Sequence, residues 1–89
     1  MDTIDVTVVK SPNCTHCAAF MEFWEEIKSD WPKVQLSEIS ITTPEGQALA
    51  LQHMIMASPG VVINDELLST GGVNKERFIA KLKELSGHE

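Results

Sequence analysis

The chain has 89 residues, 43% of them apolar and 22% charged, with seven Lys/Arg against thirteen Asp/Glu for a net charge of −6. That length allows one domain with a single core, expected to span 1–89, and the composition excludes a disordered chain. The acidic balance, with the cations scattered, excludes nucleic acid and anionic membrane as main partners, because phosphate binding needs a basic patch. Acids at Asp2 and Asp5 break the start of the chain, so it does not read as a signal peptide, and no apolar run approaches a membrane span. A cytoplasmic monomer is the expectation.

Residues 3–10, TIDVTVVK, alternate apolar with polar side chains and are rich in β-branched types, which predicts a strand. Ile4, Val6 and Val8 share one face and Val9 the other. After SPN the pattern turns helical over 15–30, with Cys17, Phe20, Trp24, Ile27 and Trp31 on one stripe and Pro32 as the stop. A second strand covers 34–41; its alternation slips between Leu36 and Ile39, as an edge strand or a bulge would. Thr42 and Glu45 have capping-box spacing, and with Pro44 they open a second helix that runs to His53 as its cap. Met54 and Met56 follow as packing residues. VVIN (61–64) and LLST (67–70) read as two strands of a hairpin turning at Asp65–Glu66. Asn74 then caps a third helix to Leu85, with Phe78, Ile79, Leu82 and Leu85 inward. The order βαβαββα requires a parallel first pair joined by a right-handed crossover, then an antiparallel hairpin. A single α/β domain follows, a four-stranded mixed sheet flanked by helices. The last residues, through His88 and Glu89, read as a frayed tail.

The only two cysteines, Cys14 and Cys17, lie in KSPNCTHCAAF at the start of the first helix. In a cytoplasmic chain so close a pair points to redox cycling or to metal, and spacing alone leaves both open.

CTHC between the first strand and first helix, SPG ahead of the third strand and GG before the last helix together resemble the thioredoxin superfamily. The likeness is to its small glutaredoxin-like and archaeal-type thioredoxin members, over about Ile4 to Leu85. The resemblance implies a thiol–disulfide oxidoreductase with a CxxC couple acting on protein or small-molecule disulfides, without a cofactor. Cys14, at the helix start, meets unpaired backbone N–H groups and the positive end of the macrodipole, which favour the reactive thiolate. Cys17, one turn in on the apolar stripe, is then the resolving sulfur. In the family the proline matching Pro59 is cis and lies against the cysteines. The residue before it, here Ser58, receives an extended substrate through its backbone. Thr15 and His16, between the cysteines, are expected to tune the potential, since a charged imidazole near Cys14 stabilises its thiolate.

Two departures narrow the reading. Asn13 stands where thioredoxins usually carry a tryptophan, and Val8 where they carry a buried acid. Glutaredoxins hold glutathione through a basic residue before the motif and an acid after the glycine pair. Lys10 is one position too far out, and VNKE after Gly72 puts Asn74 and Lys75 where the acid would be. A protein reductase is therefore preferred to glutathione as electron donor. The alternatives are a metal-binding or metallochaperone-like CxxC protein and a non-catalytic binding module. Zinc wants four ligands, and beyond the cysteines only His16, His53, His88 and distant carboxylates are on offer. Copper metallochaperones carry a methionine where this chain has Pro12.

Overall fold

The computed structural model describes residues 3–85, so the tail at His88–Glu89 lies outside the described residues. The chain forms β1 (Ile4–Lys10), α1 (Thr15–Ile27), β2 (Val34–Ser40), α2 (Pro44–His53), β3 (Gly60–Ile63), β4 (Glu66–Thr70) and α3 (Lys75–Leu85), the expected order. The strands lie side by side as β2-β1-β3-β4. β1 runs parallel to β2 from Ile4↔Val34 to Lys10↔Ser40 without a slip, and antiparallel to β3, which pairs antiparallel with β4. β2 is thus an edge strand, as its broken alternation allowed. The bulge is in β4: Val61 faces Ser69 and Val62 faces Leu67, which leaves Leu68 as the extra residue.

Period-two alternation sends the strands' side chains to opposite faces. On one face Ile4, Val6, Val8, Val61 and Ile63 meet Phe20, Phe23 and Trp24 of α1 and Phe78 and Leu82 of α3. Phe78 is fully buried and acts as the wedge, edge-on to Phe20 at 5.1 Å and to Phe23 and Trp24 at 6.1 Å each. Val9 and Val62 are buried on the other face, and α2 contacts β1 and β2 there. Asn74 caps α3 as expected, its Oδ1 accepting from Arg77 N at 2.9 Å. Among the described residues no helix is long and apolar enough to cross a membrane.

Several local expectations are corrected. α1 stops at Ile27 and tightens into a 3-10 turn over Lys28–Asp30, so Trp31 lies beyond the helix, half-buried against the core. Phe23, off the predicted stripe, is buried because α3 covers a wider face of α1. Thr43, not Thr42, caps α2, since this places Pro44 at the first helical position, where its missing N–H leaves nothing unpaired. The Thr43 hydroxyl accepts from Gly46 N at 3.0 Å and donates to the Ser40 carbonyl at 2.7 Å. The hairpin turns at Asn64–Asp65, one residue early, because both positions have positive φ (49° and 70°), which Asn and Asp tolerate. Met54, left-handed at φ 55°, ends α2 in place of His53. The His53 ring is largely buried, with Nε2 3.6 Å from Asp65 Oδ1. Met54 and Met56 are 75% and 88% exposed, not packed, because the left-handed turn and the loop after it carry both side chains off the sheet.

Candidate active site at the start of the first helix

β1 delivers the chain to the site, and Ser11-Pro12-Asn13 turns it. Asn13 takes the left-handed conformation at φ 57°, which an asparagine accepts at small cost. Cys14 follows in extended geometry as the N-cap of α1, and its sulfur takes the part a serine oxygen plays in other caps, accepting from Cys17 N at 3.0 Å. Cys14 and Cys17 are joined as a disulfide, with Cα atoms 5.2 Å apart. The two sulfurs have different surroundings. Cys14 is half-buried and faces the outside of the loop; Cys17 is 5% exposed. Thr15 and His16 occupy the exposed side of the first turn.

The loop before β3 closes the site. The Ser58–Pro59 peptide bond is cis. Pro59 is fully buried, and its carbonyl accepts from Gly71 N at 3.1 Å. Gly71 has φ 82°, and a Cβ there would sit 3.2 Å from Ala57 Cβ, so a glycine at this position lets the two loops lie close. Ser58 Oγ lies 3.5 Å from Cys14 Sγ and 2.6 Å from Ser11 Oγ. Positions 14, 17, 58 and 59, far apart in sequence, thus converge.

Two grooves lie at the site, one against the disulfide and one beside Ser58. One, of about 810 Å³, is lined by Lys10, Cys14, Cys17, Met21, Glu38 and Ser40 among others, with Lys10 Nζ bonded to Glu38 Oε1 at 2.7 Å. The other, of about 280 Å³, is apolar apart from its serines and includes Val9, Ile41, Ile55 and Met56; Ser11 lines both. Ser11, Met21 and Glu38 are residues that sequence reasoning missed: Ser11 and Glu38 reach the site through contacts distant in sequence, whereas Met21, one turn after Cys17 on α1, was within reach of helical spacing. Val8 is fully buried in the core, and among the described residues no charged side chain is buried. No group of three His, Cys, Asp or Glu among the described residues is placed to hold a metal ion.

Residues 4–84 match the model of the family described as a thioredoxin domain. The thioredoxin of Methanocaldococcus jannaschii is 30% identical over 84 residues, covering 93% of this chain and 96% of that protein. Solved structures agree in fold. Chlamydomonas reinhardtii thioredoxin f2 superposes with a TM-score of 0.75 at 15% identity, covering 100% of this chain and 84% of its own. The Malassezia sympodialis thioredoxin gives 0.70 at 22% identity, covering 97% and 77%. With the likeness running from the first strand to the last helix and the paired cysteines intact, this chain belongs to the thioredoxin family and is a thiol–disulfide oxidoreductase.

Proposed function

We propose that Cys14 is the attacking sulfur and Cys17 the resolving one in exchange with protein disulfides. The observation that carries this is their asymmetry: Cys14 sits half-buried at the helix N-terminus with a backbone N–H on its sulfur, and Cys17 is 5% exposed behind it. In the reducing direction the Cys14 thiolate attacks one substrate sulfur, the substrate S–S bond breaks, and the departing thiolate takes a proton from water. Cys17 then loses its proton to solvent and attacks Cys14 Sγ. The mixed disulfide breaks, the Cys14–Cys17 bond forms, and the second substrate thiolate leaves. Two electrons pass from the dithiol to the substrate.

Ser58 and Pro59 form the wall along which an extended substrate segment docks, with the Ser58 backbone as its partner. Thr15 and His16 tune the couple from the exposed first turn; solvent screening there keeps the histidine's contribution small. A protein reductase is the electron donor. Lys10 is tied to Glu38, and the Asn74 amide is occupied in capping α3, so neither is poised for a glutathione carboxylate or amine. The reading needs no cofactor beyond the two sulfurs and no nucleic-acid or membrane partner. It describes one domain working as a cytoplasmic monomer.

Substitution separates the two sulfurs. Cys14→Ser should abolish reduction of a disulfide-bonded protein, and Cys17→Ser should trap a mixed disulfide visible by mass spectrometry. Alkylation of the reduced chain at neutral pH should label Cys14 first; labelling of Cys17 first reverses the assignment.

A further inference from the structure

Ser11 lies outside the CxxC motif, on the turn that leaves β1, half-buried on the ridge between the two grooves. Its Oγ is 2.6 Å from Ser58 Oγ, which is 3.5 Å from Cys14 Sγ. Valence fixes the direction of this chain. A disulfide sulfur has no hydrogen to give, so the Ser58 hydroxyl donates to it. A serine has one hydroxyl hydrogen, so Ser11 must then donate to Ser58.

We propose that Ser11 is a positioning residue for the redox reaction: through Ser58 it keeps a hydroxyl hydrogen aimed at Cys14 Sγ and so favours the thiolate of the attacking sulfur. The inference rests on the assignment of Cys14 as attacker. A hydrogen bond to the charged form of a group stabilises that form over the neutral one. Bonds to an ion are about twice as strong as those between neutral groups, and linked bonds polarise each other in the same sense. With the Cys17 N–H at 3.0 Å, the Cys14 sulfur then has two donors, one from the backbone and one at the end of the serine chain. Both serines are half-buried, so water screens this pair less than it screens His16 on the open turn. Without Ser11 the Ser58 hydroxyl is a free rotor whose hydrogen can turn to solvent. Stabilising the thiolate stabilises the reduced chain, which makes the couple more oxidising.

A plain structural tie between the two loops would show the same distances, so the test reads the pH profile. The reduced full-length chain is alkylated with iodoacetamide across a pH series, and the labelled cysteine is mapped by mass spectrometry. Ser11→Ala should slow labelling of Cys14 on the acid limb by about threefold to tenfold. The alkaline plateau should stay level or rise slightly, because a more basic thiolate is the better nucleophile. Ser58→Ala should do at least as much, and the double variant no more than Ser58→Ala, since Ser11 acts through Ser58. Ser11→Thr should restore the wild-type profile. Overlaying profiles for Ser11→Ala and wild type overturn the proposal. So does equal slowing at every pH, or full additivity of the two serine effects. First labelling of Cys17 in the wild type removes the attacker assignment instead, and the serine chain falls with it.

Discussion

Replacing Gly46 by alanine sets helix propensity against steric fit. Gly46 is the third residue of α2 and is buried against the end of β2. In a helix interior alanine is better than glycine by about 1 kcal/mol, which taken alone makes the variant more stable. Here the new Cβ would run into the Ser40 carbonyl oxygen and lie 2.8 Å from its carbon and 3.0 Å from Ile41 Cα. These are backbone atoms and they are tied down. The Ser40 carbonyl accepts from Thr43 N at 3.1 Å and from the Thr43 hydroxyl at 2.7 Å, while Ile41 N donates to Lys10 O at 2.7 Å. The first turn of α2 must therefore lift from the sheet. Overpacking of this kind costs about 1–3 kcal/mol. Lifting also stretches the bond from Gly46 N to the Thr43 hydroxyl at 3.0 Å, a cap worth about 1 kcal/mol. The cap loss cancels the propensity gain, and a net destabilisation of about 2 kcal/mol remains. For a domain of this size that lowers Tm by roughly 8–16 °C. Thermal unfolding of the oxidised protein by far-UV circular dichroism measures it, with Gln47→Ala, at the exposed neighbour, as a control close to wild type. A Gly46→Ala protein melting at or above wild type refutes the reasoning.

Phe78→Ala removes the ring that α1 packs on, and a buried Phe→Ala change costs about 3–5 kcal/mol. Total stabilities run at about 5–15 kcal/mol, so urea unfolding should show a midpoint lower by at least about 1 M, and a change under about 1 kcal/mol would mean that the core closes around the gap. His16→Ala should make the couple more reducing by no more than about 20 mV, the redox equivalent of a single exposed charge near a helix start. Coincident potentials of wild type and variant would leave His16 a surface residue.

The elements whose residues speak locally were legible in the sequence. β1, the start of α1 and the cap of α3 each follow from alternation, a breaker or a side-chain oxygen at the right offset, and CTHC, SPG and GG ordered them into the fold. Misreadings arose where two local signals compete. Thr42 and Thr43 are both good caps, and only the fit of Pro44 at the first helical position decides between them. Asn64-Asp65 and Asp65-Glu66 are both plausible turns until positive φ is required at both positions. The contents of the site beyond its motif were hidden for another reason. Ser11 and Ser58 are 47 residues apart, and Lys10 and Glu38 are 28 apart; strand register and loop closure create such contacts, and no periodicity records them. Phe23 is similar, since its burial depends on where α3 lands.

The register of the sheet also bears on how the site moves. β1 has a partner along both edges and β3 lies beside it, so the amides of this central pair should exchange with solvent only when the whole molecule opens. The cysteine turn leaves the C-terminal end of β1, the proline loop enters the N-terminal end of β3, and the rung Val9↔Gly60 joins the strands at that point. Both jaws of the cleft are therefore hinged on neighbouring rails that breathe together, while the larger groove opens onto the looser edge strand β2. The spacing between Cys14 and the Ser58–Pro59 loop is thus set by the register of the central strand pair, the most protected part of the sheet.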